Sequence, residues 1–312
     1  MKLLIFALGL AVAAGNLHAQ TNVWQPSSGH TQVPIWPGAI PDAKPVAGPE
    51  IARTVTKPLV GGKEWILVDR VSQPTMTVYS PTATNTGIAV LVFPGGGYNE
   101  LAIDLEGTEI CDWLTSRGIT AVLLKYRVPT RSPTGYGESP PALEDAQRTL
   151  GLVRFHAAEW HINPHKIGVI GFSAGGHLVT AMSTHFEKRS YPVIDPADQE
   201  SCRPDFAIAC YPGHLWDFDD DLNLNPNVPV TSNTPPTFLV QAEDDHVDGV
   251  EQSLVYYIGL KKAGVPVEMH LYAQGGHGFG LRRTKLPVTG WPKLMETWLG
   301  TIGMISQPAA SP

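Results

Sequence analysis

The sequence predicts an α/β fold in which a mostly parallel sheet is covered by helices on both faces. Segments typical of strands alternate with segments typical of helices, and most strand segments are continuous apolar, β-branched runs without a polar face. The composition agrees, because 31 Gly and 28 Pro among 312 residues exclude a coiled coil or a long helical bundle. An apolar fraction of 43% excludes a disordered chain.

The elements alternate along most of the chain. We predict strands where a short apolar run lies between turn residues, at Thr75–Tyr79, Ile88–Phe93, Ile119–Leu124, Lys166–Ile170, Phe206–Tyr211, Thr237–Ala242 and Val267–Tyr272. We predict helices at Thr108–Arg117, Pro141–Trp160, Leu178–Phe186, Val250–Ala263 and Trp291–Ile302. The irregular stretch Pro212–Pro236 interrupts this order, and so long a loop in a compact domain is usually functional.

The composition divides the chain into four parts. Residues 1–19 are predicted to be a secretory signal peptide, because Lys2 precedes an apolar run of 12 residues, shorter than the ~20 of a membrane-spanning helix. Residues 20–62 hold seven prolines and no sustained periodicity, which predicts an extended arm packed on the body by Trp24 and Trp36. The main domain is expected at 63–304 and a flexible tail at 305–312. The signal predicts a secreted or periplasmic protein.

The charge balance argues against two classes of partner. The net charge is −7 and there is no Lys/Arg-rich run, so neither nucleic acid nor an anionic membrane surface is expected as a partner. The oligomeric state is left open by the sequence.

Three cysteines are present, at Cys111, Cys202 and Cys210. A Cys202–Cys210 disulfide is disfavoured, because the predicted strand between them is extended and would hold the two Cα atoms farther apart than the ~7 Å limit. We therefore expect three buried thiols that act as small apolar side chains.

The first motif that indicates chemistry is Gly171-Phe172-Ser173-Ala174-Gly175, a G-x-S-x-G string between a predicted strand and a predicted helix. In such a nucleophile elbow the serine lies on a sharp, strained turn above the sheet, and glycines fit the crowded positions on both sides. The alternative, a Gly-rich turn without function, is disfavoured by the strand–turn–helix context. Ser173 is the predicted nucleophile.

A serine nucleophile requires a base, and on this type of fold an acid and then a histidine follow the serine along the chain. His277 follows the strand Val267–Tyr272 and has glycines on both sides, so we predict it as the base. His177 and His246 are the competing histidines. The strand Thr237–Ala242 is followed by three acids, Asp244, Asp245 and Asp248, of which Asp245 is preferred and the other two stay open.

Gly95-Gly96-Gly97 follows the most apolar strand, and such a turn lets backbone N–H groups converge on an oxyanion. Together with the N–H of Ala174 these glycines are predicted to form an oxyanion hole. A phosphate-binding loop is the alternative for a Gly-rich turn, but there is no G-x-x-x-x-G-K-[ST] string. Nucleotide binding is therefore rejected.

No metal or other cofactor is predicted. The acidic stretch 217–223 suggests calcium, but counted from Asp219 the sixth residue is Leu224 and the twelfth is Val230, where a calcium loop has Gly and Glu. The pair His161 and His165 is interrupted by a proline and lacks the helical face of a zinc pair.

These motifs together resemble secreted bacterial esterases of the α/β-hydrolase superfamily, in particular the acetylxylan-esterase and feruloyl-esterase-like branch. The resemblance runs from about Trp36 to Ile302 and rests on PGGGY, Glu106-Gly107, Leu124-Lys125-Tyr126-Arg127, IGVIGFSAGGHL, Tyr211-Pro212, TPPTFLVQAEDD and VEMHLYAQGGHGFGLR. It implies an α/β-hydrolase fold with a mostly parallel sheet of about eight strands. It also implies a Ser173–Asp245–His277 triad and oxyanion donors at Gly96, Gly97 and Ala174. The chain has His246 where the family usually has proline.

We therefore expect an exported serine esterase that acts through an acyl-enzyme, with a small ester or an acetylated xylan-type saccharide as its substrate. A feruloyl or general aryl esterase is one alternative, and a non-catalytic carbohydrate-binding member of the fold is another. Tyr98, Trp216 and Phe218 are predicted to contact substrate, although Trp216 and Phe218 fit equally well as packing anchors of their loop.

Overall fold

A computed structural model describes residues 23–128, 139–216 and 222–305. The predicted signal peptide (1–19) and residues 306–312 of the predicted tail lie outside these ranges. Within them, the protein has one large sheet, one small sheet and five α-helices.

The large sheet confirms the predicted α/β class. Its eight strands, in spatial order, are β1 (Gln32–Pro34), β4 (Thr75–Tyr79), β7 (Thr120–Lys125), β5 (Ala89–Phe93), β8 (Ile167–Phe172), β9 (Phe206–Cys210), β10 (Thr237–Ala242) and β11 (Val267–Tyr272). From β7 to β11 every pair is parallel, whereas β1 and β4 add antiparallel pairs at one edge. Every residue of β5, β7, β8, β9 and β10 is buried. Because successive side chains point to opposite faces, both faces of these strands are covered.

The helices alternate with these strands. They are α1 (Glu109–Ser116), α2 (Pro140–Phe155), α3 (Ala174–Thr184), α4 (Glu251–Lys262) and α5 (Trp291–Thr301). The long predicted helix stops five residues early, at Phe155, because the chain reverses after it and the Ile162 N–H donates to the Ala157 carbonyl. The three cysteines are free and buried, as expected.

The region predicted to be an extended arm, residues 20–62, contains a β-strand that was not predicted from the sequence. Ile51–Val60 forms β2, which pairs antiparallel with β3 (Lys63–Asp69), and β3 pairs with β6 (Glu100–Ala102) in a separate small sheet. The two residues between β2 and β3 are Gly61 and Gly62, both with positive φ, as a tight hairpin turn requires. The boundary drawn at 62/63 therefore falls inside a hairpin. A Gly-Gly pair between two strand-like runs is the signal that could have found it.

The N-terminal segment is held to the body by a hydrogen bond from Trp36 to a buried ion pair, Asp145–Arg127. Trp36 is 5% exposed, and its indole N–H donates to Asp145 Oδ1 over 2.8 Å. The same carboxylate accepts two bonds from Arg127, from the backbone N–H at 2.9 Å and from Nε at 3.0 Å. Asp145 and Arg127 are almost fully buried, so the charge of Asp145 depends on Arg127, which also pairs with the buried Glu144 over 2.8 Å.

Replacing Asp145 with alanine should therefore lower the free energy of unfolding by about 3–5 kcal/mol, because the change leaves the Arg127 guanidinium buried without its main partner. Urea denaturation followed by circular dichroism measures this loss. Glu159→Gln, which removes an exposed partner of His156, is the control and should change stability by less than about 0.5 kcal/mol. Equal effects of the two variants would contradict the role given to Asp145.

Candidate active site

Ser173 lies on a strained turn between the central strand β8 and helix α3. Its φ of 53° and ψ of −120° lie outside the regions that a residue with a side chain ordinarily occupies. The backbone is held there by the Ser173 N–H, which donates to the Cys210 carbonyl of β9 over 3.0 Å. This is the geometry of a nucleophile elbow, in which the hydroxyl stands at the carboxyl edge of the sheet.

Close approach of the backbone explains the two glycines of the elbow. A Cβ at Gly171 would overlap the Gly175 carbonyl, and a Cβ at Gly175 would overlap the carbonyl of Phe93 at the end of β5. Any larger residue at either position would push the helix away from the strands. The elbow thus requires glycine at both sites.

Ser173, His277 and Asp245 are brought together across more than 100 residues of sequence. Ser173 Oγ is 2.8 Å from His277 Nε2, and His277 Nδ1 is 2.8 Å from Asp245 Oδ2. With Nδ1 donating to the carboxylate, Nε2 is left to accept the serine proton. The N–H groups of Val247 and Asp248 donate to Asp245 Oδ1 over 2.9 and 3.0 Å, which holds the carboxylate in place.

The structure separates the three acids that follow β10. Asp244 Oδ1 accepts the N–H groups of Gly275 and Gly276 over 2.8 and 2.7 Å, so it anchors the loop that carries His277. Asp245 faces His277 directly. Asp248 approaches from the serine side, with Oδ2 3.4 Å from Ser173 Oγ and 3.9 Å from His277 Nε2.

The two competing histidines lie elsewhere. His246 is exposed. His177 is buried one turn into α3, where its Nδ1 lies 2.7 Å from the Tyr98 hydroxyl. Burial lowers the pKa of His177 to about 3, so it is neutral at physiological pH.

Carboxylates dominate the electrostatics of His277. Burial by itself would lower its pKa, but Asp245, Asp248 and Glu106 together raise the pKa above the ordinary value of 6.5. They stabilise the imidazolium that forms when the ring takes up a proton.

The Gly-rich loop lies directly over the elbow, since a Cβ at Gly95 would be 2.9 Å from the Ser173 Cβ. The Gly95 N–H is already used, because it donates to Glu106 Oε2 over 2.8 Å. Among the described residues, the N–H groups of Gly96, Gly97 and Ala174 donate no hydrogen bond to a backbone carbonyl outside the helices and strands. Gly96, with φ of 133°, packs so closely on Glu100 that a Cβ would overlap its carbonyl.

Glu106 links three loops of the site, a role that the sequence reading missed. It is 3% exposed, and besides the Gly95 N–H it accepts the Tyr211 hydroxyl at Oε1 over 2.9 Å. That hydroxyl in turn accepts the N–H of Gly280, three residues after His277 in the sequence, over 3.2 Å. The Gly-rich loop, the end of β9 and the histidine loop are therefore held together. Glu106 and Tyr211 stand in the strings that carry the family resemblance, which was the available signal.

The predicted substrate-contacting aromatics have different positions. Tyr98 borders a cavity of about 150 Å³ that is also lined by His177, Leu143, Leu178 and Val228. Trp216 is half-buried against the core, and its backbone N–H donates to Gln252. This position agrees with the alternative interpretation of Trp216 as a packing anchor of its loop. Phe218 lies outside the described residues.

The described parts of the chain hold no group of three or more His, Cys, Asp or Glu side chains placed to bind a metal ion. None of their helices has the length and apolar character needed to cross a membrane.

The strained serine between a parallel strand and a helix, with histidine and acid after later strands, defines a site of the α/β-hydrolase type. Comparison with known sequences agrees. A family model described as the alpha/beta hydrolase fold matches residues 90–281. The chain belongs to this family.

Several relatives are named for esters or xylan. The chain is 31% identical to an acetylxylan esterase of Xylanibacter ruminicola over 217 residues, which cover 62% of this chain and 42% of that protein. It is 29% identical to endo-1,4-beta-xylanase B of Butyrivibrio fibrisolvens over 219 residues, covering 65% and 34%. The chain thus spans less than half the length of these two relatives.

Among solved structures, an acetyl ester-xyloside bifunctional hydrolase from Caldicellulosiruptor lactoaceticus superimposes with a TM-score of 0.70 at 35% sequence identity. The match covers 88% of this chain and 97% of that one. An alpha/beta hydrolase named MGS-M1, from a deep-sea metagenome library, matches with a TM-score of 0.59 at 28% identity, covering 81% and 98%.

The raised pKa of His277 predicts the acid side of the pH profile. A general base must be neutral, so kcat/KM should fall as the pH drops through the raised pKa, with a midpoint above about 6.5.

Asp245→Asn should lower kcat by roughly 10³–10⁴-fold, because it removes the acceptor that orients His277. Initial rates with p-nitrophenyl acetate measure both the pH dependence of kcat/KM and the loss of kcat in Asp245→Asn. Glu243→Gln, which changes an exposed neighbour of Asp245, is the control and should keep the wild-type kcat. For the pH profile, a midpoint well below 6.5 would contradict the raised pKa of His277.

Glu106→Gln should lower kcat by about 10- to 100-fold, since one hydrogen bond to a charged group is worth roughly 1.5–3 kcal/mol. The amide can accept only one of the two bonds, so the other must break or reverse its direction. Loss of the charge should also move the acid limb of the profile to lower pH. Tyr211→Phe supplies a double-mutant cycle, in which strongly non-additive effects on kcat are expected. Additive effects with an unshifted pH profile would show that Glu106 does not act through this network.

Proposed function

We propose that the chain is a serine carboxylic-ester hydrolase. The observation that carries the proposal is the continuous chain of hydrogen bonds from Ser173 through His277 to Asp245, with both links at 2.8 Å. The membership of the α/β-hydrolase family supports it. The same residues would form the catalytic triad.

In the proposed mechanism, Ser173 Oγ attacks the ester carbonyl carbon while His277 Nε2 takes up its proton. The N–H groups of Gly96, Gly97 and Ala174 stabilise the oxyanion of the tetrahedral intermediate. His277 then donates the proton to the leaving alcohol oxygen, and the C–O bond breaks to leave an acyl-enzyme. A water molecule, deprotonated by His277, releases the carboxylic acid by the reverse sequence. Asp245 orients the ring and stabilises the imidazolium throughout.

For the substrate we propose short acyl groups, acetyl above all, on xylan-type saccharides. The names of the acetylxylan esterase and the acetyl ester-xyloside hydrolase support this class. We also propose export, with residues 1–19 as a signal peptide, since a polymeric xylan is met outside the cell.

The cavity beside Tyr98 supports a small acyl group. His277 must lie next to the leaving alcohol, so the acyl part extends in another direction from the oxyanion glycines, and Tyr98 follows Gly97 directly. Its volume of about 150 Å³ has room for a small acyl group such as acetyl or butyryl. We propose this cavity as the acyl site.

Ser173→Ala should reduce the hydrolysis of p-nitrophenyl acetate by roughly 10⁴-fold or more, since it removes the hydroxyl that His277 would deprotonate. The variant should keep the wild-type circular dichroism spectrum, which serves as the control for folding. Comparable rates of the variant and the wild type would refute the serine mechanism.

The same assay tests the acyl site with p-nitrophenyl esters of increasing chain length. Rates should be highest for acetate to butyrate and should fall for octanoate, because the chain outgrows the cavity. In parallel, the enzyme should release acetate from decorated xylan much faster than ferulate. Ferulate release at the acetate rate would overturn the acyl assignment while leaving the esterase itself intact.

A further inference from the structure

Asp248 is a buried carboxylate that the proposed mechanism does not use. It lies between β10 and α4, is 6% exposed, and points at the reacting atoms, with Oδ2 3.4 Å from Ser173 Oγ. Gly213 leaves the space for it, because a Cβ there would lie 2.5 Å from Asp248 Oδ1. The side chain thus borders the volume that a bound ester would fill.

The carboxylate of Asp248 has far fewer donors than its two neighbours. Asp245 accepts backbone N–H groups and His277, and Asp244 accepts two backbone N–H groups. Within the described residues, the carboxylate of Asp248 meets only the Ser173 hydroxyl, at 3.4 Å, and His277 Nε2, at 3.9 Å. Both of these groups are already paired with each other. Burying a carboxylate without a good hydrogen-bond donor costs free energy, so a donor group of the substrate would form a favourable hydrogen bond with Asp248.

The position relative to His277 indicates which part of the substrate supplies that donor. His277 Nε2 gives its proton to the leaving alcohol oxygen, so this oxygen lies within hydrogen-bond distance of Nε2. Asp248 Oδ2 is on the same side of the ring, 3.9 Å from Nε2. A hydroxyl on the carbon next to the ester-bearing carbon lies close enough to the leaving oxygen to reach the carboxylate.

We infer that Asp248 is a specificity-determining residue that accepts a hydrogen bond from a free hydroxyl adjacent to the scissile ester. The inference rests on the proposed esterase function and narrows its substrate class to esters of polyols and saccharides that keep a neighbouring hydroxyl. Simple alkyl esters and fully acylated sugars would leave the carboxylate buried and unpaired.

The ionisation of Asp248 is compatible with this role. Burial raises its pKa to about 6, as expected for a carboxylate with few donors. Above that pH the group is charged and accepts the substrate hydroxyl, so the test belongs at about pH 8, two units above the pKa.

A matched pair of substrates isolates the interaction. Hydroxyethyl acetate and propyl acetate have the same acyl group and nearly the same shape, but only the first has a hydroxyl next to the ester. The quantity to measure is the ratio of their kcat/KM values, from acetate release by wild type, Asp248→Asn and Asp248→Ala. A changed pKa of His277 affects both substrates equally and cancels in this ratio.

The wild type should prefer hydroxyethyl acetate by about 10- to 100-fold, the effect of one hydrogen bond to a charged group. Asp248→Ala should bring the ratio close to one, and the isosteric Asp248→Asn should give an intermediate ratio because its amide oxygen still accepts. Glu251→Gln, which removes a carboxylate three residues away that does not face Ser173, should keep the wild-type ratio. Thermal unfolding checks that each variant folds, and the asparagine variant carries the test if the alanine variant does not.

A wild-type ratio near one, or an equal fall of both rates in Asp248→Asn, would overturn the inference while the enzyme remains an esterase. Failure of the proposed function has a different signature, because neither acetate would then be hydrolysed by the wild type, or Ser173→Ala would hydrolyse both normally.

Discussion

The backbone around Ser173 is packed so tightly that two neighbouring positions cannot carry a Cβ. Gly171 meets the carbonyl of Gly175, and Gly175 meets the carbonyl of Phe93. This contact holds β8, the start of α3 and the end of β5 at fixed distances. The Gly-rich loop leaves β5 at that point, so the same contact places the predicted oxyanion donors over the serine. The strained φ of Ser173 persists because strands on both sides of β8 leave the chain no other path.

A second constraint is the amount of negative charge that the site collects around one histidine. Asp245, Asp248 and Glu106 come from different parts of the chain, and each raises the pKa of His277 against the effect of burial. Their hydrogen-bond partners distinguish them. Asp245 accepts hydrogen bonds at both oxygens and contacts the His277 ring, and Glu106 is held by the Gly95 N–H and the Tyr211 hydroxyl. Asp248 lies 3.4 Å from the Ser173 hydroxyl, on the side of the proposed reacting atoms. A carboxylate thus has a different consequence at each of the three positions.

Much of the fold could be predicted because the buried strands carry their own signal. The strand β10 has the predicted bounds to the residue, and all of its residues are buried, as in a strand covered on both faces. The edge strand β11 also has the predicted bounds, although it is partly exposed, because its apolar residues alternate with Glu268 and His270. The hairpin of β2 and β3 was missed for the opposite reason. Most of its residues are exposed or half-exposed and it contains Pro58, so it lacks an apolar pattern, and its stability depends on pairing within the small sheet.

The sequence by itself determined the class of fold, the serine of the elbow and the glycine-flanked histidine, because each of these depends on local patterns of a few residues. It favoured Asp245 but left Asp244 and Asp248 open, because the three acids lie within five consecutive positions and differ little in local pattern. The tertiary structure decided their arrangement, because the loop after β11 places His277 Nδ1 2.8 Å from Asp245 Oδ2, whereas Asp248 lies on the Nε2 side of the ring at 3.9 Å. It also decided the position of Glu106, whose partners lie 11 and 105 residues away. Contacts between loops at the edge of a sheet are set by strand order, and no local pattern encodes them.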